Sequence, residues 1–245
     1  MRIVIIGGVA GGMSAATRLR RLDANAEITV LEKSGYVSYA NCGLPYYVGG
    51  VIEEESALLL QTPASLHARF RLDVRVNTEV LAIYPSKKTA AIKNLESHEI
   101  YEIEYDKLIL SPGASPIVPP IPGIERGMTL RTVEDVERMA YLVSAKPKSA
   151  LVIGGGFIGV EIAENLVHRG IPTSLVEATD QVLMPLDPEL ATLVAKEMVG
   201  QGVNLYLGTS AVNIGADSVD LSNGESVAAE LVIVGIGVRP EIGLA

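Results

Sequence analysis

Cysteine is almost missing from this 245-residue chain; the single one is Cys42. One cysteine excludes an internal disulfide, and the expected setting is the reducing cytoplasm. Tryptophan is absent and aromatic residues make up only 4% of the chain, which removes the stacking platforms that single-stranded nucleic acid needs. The net charge of −9 repels a phosphate backbone, so general nucleic-acid binding is disfavoured. No apolar run reaches the length a bilayer demands, so no membrane partner is expected. The opening MRIVIIGG lacks the charged leader, long apolar stretch and small-residue cleavage site of a secretory signal. The three histidines, His67, His98 and His168, have no metal-like spacing, and with Cys42 isolated no zinc site is expected.

What is present is apolar residue and glycine. Hydrophobic residues make up 48% of the chain and charged ones 20%, enough for a packed core. Of the 24 glycines, eight sit in two clusters: Gly7, Gly8, Gly11 and Gly12, and Gly154, Gly155, Gly156 and Gly159. Arg2 to Ile6 reads as a buried strand, Gly12 to Leu22 as a helix and Glu27 to Glu32 as a second strand. The same order returns with Ala150 to Ile153, a glycine turn over Gly154 to Gly159, a helix over Val160 to Arg169 and a strand over Thr173 to Glu177. Strand, glycine turn, helix, strand is a βαβ unit with parallel neighbours. Two copies predict an α/β chain of two similar Rossmann-like domains. The proline-rich stretch Pro112 to Pro122 separates them as a linker, giving domains at 1–112 and 113–245. Between the copies, Asp73 to Ile83 and Thr89 to Ile92 read as antiparallel strands and Tyr105 to Leu110 as a buried one. Asp187 to Val199 reads as a helix, with short strands after it through Val234.

In a dinucleotide fold, one glycine permits the tight turn, one lets the backbone approach pyrophosphate, and one lets helix and strand pack closely. An acidic residue ending the next strand accepts a hydrogen bond from a ribose hydroxyl. The second copy is complete, with Gly154, Gly156 and Gly159 followed by Glu177. Glu177 would repel a 2′-phosphate, which favours NADH over NADPH. In the first copy Gly7 and Gly12 fit, Val9 takes the middle position, and Gly8 and Gly11 offer other points of close approach. Glu32 stands where the ribose acceptor belongs.

Residues 38–47 read SYANCGLPYY and follow Glu32 closely. A lone cysteine is often a buried small hydrophobe. Cys42, however, lies in a segment containing glycine and proline, outside any apolar run, and loops on rigid scaffolds carry function.

With IIGGVAGGMSAATRLRRL (5–22), SYANCGLPYY (38–47), YDKLILSPGASP (105–116), VIGGGFIGVEIAENL (152–166) and LVIVGIGVRP (231–240), the chain resembles the single-cysteine branch of the pyridine nucleotide-disulfide oxidoreductases, the coenzyme A-disulfide and persulfide reductase group. The resemblance implies FAD on the first βαβ unit, contacted by Gly7, Gly8, Gly11, Gly12, Glu32, Lys33, Asn41, Val80, Ser111, Pro112 and Gly113. It implies NAD(P)H on the second, contacted by Gly154, Gly156, Phe157, Ile158, Gly159, Glu161, Glu177, Gly235 and Gly237. Cys42 would be the catalytic thiol beside the flavin, passing electrons to coenzyme A disulfide, a persulfide or a similar species. Substrate contacts would come from Ser14, Arg18, Arg21, Ser38, Asn41, Arg69 and Arg71. Arg18 and Arg21 share a helix face, and guanidinium groups suit phosphate.

Two-cysteine relatives carry a second cysteine five positions on, where this chain has Tyr47, so the substrate must bring the second sulfur. NADH oxidase and peroxidase relatives carry a histidine where this chain has Ala10, which disfavours oxygen or peroxide as acceptor and leaves an NADH oxidase as the alternative. The resemblance also implies later segments that complete the flavin domain and form a homodimer. The sequence stops at Ala245, so it reads as an N-terminal portion with an incomplete first domain, and a nucleotide-binding module without catalysis is a further alternative.

Overall fold

A computed structural model describes all 245 residues. They form two compact units, one of Met1–Ala40, Ser56–Ala114 and Pro240–Ala245, the other of Asn41–Glu55 and Ser115–Arg239. In chain order the elements begin β1 (Arg2–Ile6), α1 (Ala10–Leu22), β2 (Glu27–Leu31), α2 (Leu44–Val48), α3 (Pro63–Phe70), β3 (Asp73–Arg75), β4 (Thr78–Tyr84), β5 (Thr89–Asn94), β6 (Ile100–Glu104), β7 (Lys107–Leu110) and β8 (Ala114–Pro116). They continue with β9 (Gly127–Met128), α4 (Val133–Ser144), β10 (Ala150–Ile153), α5 (Phe157–His168), β11 (Thr173–Val176), α6 (Pro188–Gly200), β12 (Asn204–Tyr206), β13 (Ala211–Ile214), β14 (Ser218–Leu221), β15 (Ser226–Ala228), β16 (Leu231–Val234) and β17 (Val238–Pro240).

In the first unit, β3-β2-β1-β7 make a sheet that is parallel throughout. Side chains alternate across a strand, so β1 and β2 feed two cores. Ile3, Ile5, Ile28 and Val30 pack with Met13 and Ala16 of α1 and with Leu66 and Leu72. Val4 and Leu31 point the other way, against Ala90 and Ile92 of the antiparallel sheet β4-β5-β6. A parallel sheet needs cover on both faces; here a helical layer and a small sheet provide it. Each of the buried Ile, Val, Leu and Met side chains contributes roughly 1.5–3 kcal/mol.

The second unit repeats the plan. Its parallel sheet runs β12-β11-β10-β16-β9. Leu151, Ile153, Val176, Val232 and Val234 pack against the antiparallel β13-β14-β15 layer through Ile214, Val219 and Leu221. Helix α2 packs on α4 and α5. No helix is long and apolar enough to cross a membrane.

Several expected elements shift. The single antiparallel strand expected over Asp73 to Ile83 is two. β3 joins the parallel sheet beside β2, Asn77 takes a left-handed φ of 50°, and β4 starts at Thr78. Asparagine tolerates that conformation, which ends the extended run. The strand expected from Tyr105 starts at Lys107. The helix expected from Val160 begins at Phe157, because the turn already closes at its N-cap, Gly156.

Candidate active site

Each parallel sheet ends its first strand in a glycine turn, and the two turns share one geometry. Gly7 and Gly154 take φ of 99° and 108°, a region costly for any side chain. A Cβ on Gly12 would lie 1.8 Å from the Gly7 carbonyl oxygen; one on Gly159 would lie 1.9 Å from that of Gly154. The carbonyl of Ser111 crowds Gly7 as that of Gly235 crowds Gly154. Both of these neighbours were expected contacts, and both bond back to the central strand: Ser111 N donates to Ile6 O at 2.8 Å and Gly235 N to Ile153 O at 2.7 Å.

The two acids match as well. Glu32 Oε2 accepts from Gly8 N at 2.6 Å and Oε1 from Ser34 N at 2.9 Å. Glu177 Oε2 accepts from Gly155 N at 2.6 Å, and Oε1 accepts from Thr179 N and its hydroxyl, each at 2.8 Å. Carboxylate oxygens have about four lone-pair sites, so each acid is oriented by the backbone and keeps capacity for a ribose hydroxyl. The roles of Gly155 and Thr179 were not anticipated; their positions beside Gly154 and two past Glu177 are the signal.

The residues fit a dinucleotide at both turns. Helices α1 and α5 start without a side-chain cap or an acidic first turn, whereas Thr62 and Thr132 cap α3 and α4. Uncapped first-turn N–H groups suit phosphate oxygens. Gly156 has ordinary extended backbone, and a Cβ there would meet only the Gly235 oxygen, at 3.9 Å. Its missing side chain leaves room beside the amides.

The other expected cofactor residues are more varied. Lys33 pairs with Glu79 at 2.7 Å. Val80 is half-buried against the core formed by Val4, Leu31, Ala90 and Ile92. Pro112, Gly113 and Gly237 are exposed, with Gly113 and Gly237 at positive φ. Gly11 lies at the start of α1, where a Cβ would sit 2.6 Å from Ser111 Oγ. Phe157 is 59% exposed at the head of α5 and Ile158 is half-buried. Burial, and secondarily Glu164, raises the Glu161 carboxyl above the usual range.

Cys42 is exposed on a single helical turn, Asn41–Gly43, that leads into α2 within the second unit. Leu44, Pro45 and Val48 are buried and hold the inner side of α2. Asn41 is half-buried. The Tyr47 hydroxyl is raised by burial, then by the charges of Glu55, Glu137 and Glu54, so it stays protonated as a donor. Glu55 is itself raised, by burial first and then by the charge of Glu137 and a carboxyl–carboxyl hydrogen bond with it.

The expected substrate residues Ser14, Arg18, Arg21 and Arg69 are exposed. Arg69 lies over the Phe70 ring, 5.1 Å from its centroid. Ser38 takes φ 49°, and its N–H donates to Gly8 O at 3.0 Å. Arg71 is committed to structure, donating to Ala24 O at 2.8 Å. Arg20, which was not anticipated, joins α1 to the end of α3 through the carbonyls of Phe70 (2.7 Å) and Arg71 (3.0 Å).

The family model for pyridine nucleotide-disulphide oxidoreductases matches residues 1–245. The chain belongs to this family. The chain is 32% identical over 240 residues to the coenzyme A disulfide reductase of Staphylococcus epidermidis, covering 98% of this chain and 55% of the relative. It superposes on the reduced CoADR-RHD of Bacillus anthracis with a TM-score of 0.97 and 48% identity, covering 100% of this chain and 45% of that one. With an NAD-dependent persulfide reductase from A. fulgidus the TM-score is 0.96 and the identity 36%, covering 100% and 47%. The chain thus spans about half the length of the relatives it matches. The two Rossmann-like sheets expected from the repeated glycine turns are the family's fold.

Proposed function

We propose that the protein carrying this chain passes electrons from NADH through FAD to Cys42 and on to a low-molecular-weight disulfide or persulfide, with coenzyme A disulfide as the leading candidate. The observation that carries this reading is the placement of Cys42: the only thiol is exposed, and it belongs to the same compact unit as the complete glycine turn and Glu177. Relatives named as coenzyme A disulfide reductase and persulfide reductase support the choice of acceptor.

When bound, FAD supplies the relay between a two-electron hydride donor and sulfur. The Cys42 thiolate attacks one sulfur of the substrate disulfide. A Cys42–substrate S–S bond forms, the substrate's own S–S bond breaks, and one substrate thiolate leaves. Two electrons originating in NADH then cleave the mixed disulfide, restoring the Cys42 thiolate and freeing the second substrate thiolate. The sum is one disulfide, one NADH and one proton converted to two thiols and NAD⁺. Tyr47, in place of a second cysteine, offers a hydrogen bond and no resolving sulfur. Arg18 and Arg21 attract substrate phosphates, with Ser14, Ser38, Asn41 and Arg69 as polar contacts; Arg71 contributes by holding its turn. Glu177 selects NADH by repelling a 2′-phosphate. The full-length protein works as a homodimer.

The test is anaerobic NADH titration with visible spectroscopy, followed by turnover with coenzyme A disulfide. NADH should bleach the flavin, and Cys42→Ser should abolish disulfide turnover while NADH still binds. Undiminished disulfide reduction by Cys42→Ser overturns the reading, and rapid oxygen consumption without any disulfide reassigns the acceptor to oxygen.

A further inference from the structure

Asn165 is a polar side chain buried to 2% exposure in α5. Its Nδ2 donates to the carbonyl of Glu161 at 2.8 Å, one turn back on the same helix. That bond folds the amide along α5 and turns Oδ1 outward, toward the backbone of Gly49. A Cβ on Gly49 would lie 1.9 Å from Oδ1, 2.6 Å from Cγ and 2.9 Å from the Asn165 Cβ. Gly49 is the C-cap of α2, with φ −69° and ψ −14°. Any residue can adopt those angles, so it is the approach of Asn165, and not the backbone, that demands glycine.

Helix α2 has five residues, too few to be stable alone, so the helices beneath it set its place. Its approach to α5 is closest-packed at Gly49, where backbone meets a braced amide. Cys42 lies just before α2, and Glu161 and the turn ending at Gly159 lie in the first part of α5. We propose that Asn165 is the positioning residue for Cys42: held by the Glu161 carbonyl, its amide sets the distance between α2 and α5 and so the placement of the thiol relative to the helix that starts at the nucleotide turn.

The inference rests on Cys42 being the reacting thiol, yet its test needs neither NADH nor a disulfide. Because Cys42 is the only cysteine, iodoacetamide consumption by the native chain reports one thiol, and its rate can be followed against pH. Asn165→Ala and Gly49→Ala should each move the Cys42 rate by about tenfold, the equivalent of roughly 1.4 kcal/mol, and displace the midpoint of the pH profile. The double variant should return toward wild type, since alanine at 165 makes room for the new methyl group; neighbours in contact couple in this way. Thermal midpoints separate a local effect from unfolding. Folded single variants with the wild-type rate and pH midpoint overturn the proposal, as does a double variant whose effect is the product of the singles. If Gly49→Ala does not fold, Asn165→Ala, which adds no atom, decides alone. A Cys42→Ser protein that still turns over disulfide refutes the functional reading and leaves this coupling intact.

Discussion

Replacing Gly12 by alanine sets two effects of opposite sign against each other. Gly12 is the third residue of α1, and alanine in a helix is favoured over glycine by about 1 kcal/mol. The added Cβ, however, would stand 1.8 Å from the Gly7 carbonyl oxygen and 3.3 Å from Ile5 Cγ2. The first neighbour is backbone, so no rotamer change relieves it, and α1 must lift from β1. Lifting disturbs Met13 and Ala16, which are packed on Ile3, Ile5, Ile28 and Val30. Overpacking of this kind costs about 3 kcal/mol, leaving a net loss of roughly 2 kcal/mol. For a chain of this size that lowers the melting temperature by about 4–8 °C. Gly200→Ala is the control: it also sits in a helix, with nothing within 4 Å of the new Cβ, and should stabilise by about 0.4–1 kcal/mol. Urea unfolding followed by circular dichroism measures both. If Gly12→Ala is as stable as wild type, or more so, the claim that this glycine is required by close approach is refuted.

The remaining predictions concern one tie and one titration. Arg20→Ala should cost about 2 kcal/mol in urea unfolding, because it removes charge-assisted bonds to the carbonyls of Phe70, Arg71 and Ala24. Arg18→Ala and Arg21→Ala, at exposed positions of the same helix, should stay within about 0.5 kcal/mol. Glu161→Gln should stabilise the chain at neutral pH. Burial and Glu164 raise this carboxyl in the fold, so the native state holds its proton more tightly than the unfolded state does. Stability then falls as pH rises from the unfolded value through the raised one. The glutamine variant escapes that loss, so its advantage should be larger at pH 7 than at acid pH and vanish below about pH 4. An equal difference at both pH values would contradict the assignment.

The local units were legible because their signals are short-range. Alternating or continuous apolar runs marked β1, β10 and β11 to within a residue, and glycine spacing marked both turns. What the sequence did not reveal depends on distant partners. Nothing in SYANCGLPYY says that Asn41–Glu55 pack with the second unit, since that follows from the fit of Leu44, Pro45 and Val48 beneath α2. Helix α4, with Val136, Met139 and Val143 on its buried face, carried a legible period and a Thr132 cap but follows a proline-rich stretch that read as a linker. Arg71 read as a substrate contact and Arg20 carried no signal at all; carbonyls 50 and 47 residues away in sequence give them structural work.

The two glycine turns also separate what the fold requires from what a ligand requires. Gly7 and Gly154 meet the chain just past the neighbouring strand, and Gly12 and Gly159 the turn beneath their helix, in the same places in both copies, so all four follow from internal packing and would be needed with nothing bound. Gly8 and Gly155 each lend an N–H to the acid on the neighbouring strand. The copies part at the middle position. Val9 is the N-cap of α1 and its counterpart Gly156 the N-cap of α5, so the fold accepts a branched side chain there. An absent side chain that folding does not demand points to something outside the chain needing the space. The second turn, open at Gly156, therefore leaves room for a closer backbone approach, which suits the NADH proposed there; the same proposal gives FAD the turn closed by Val9.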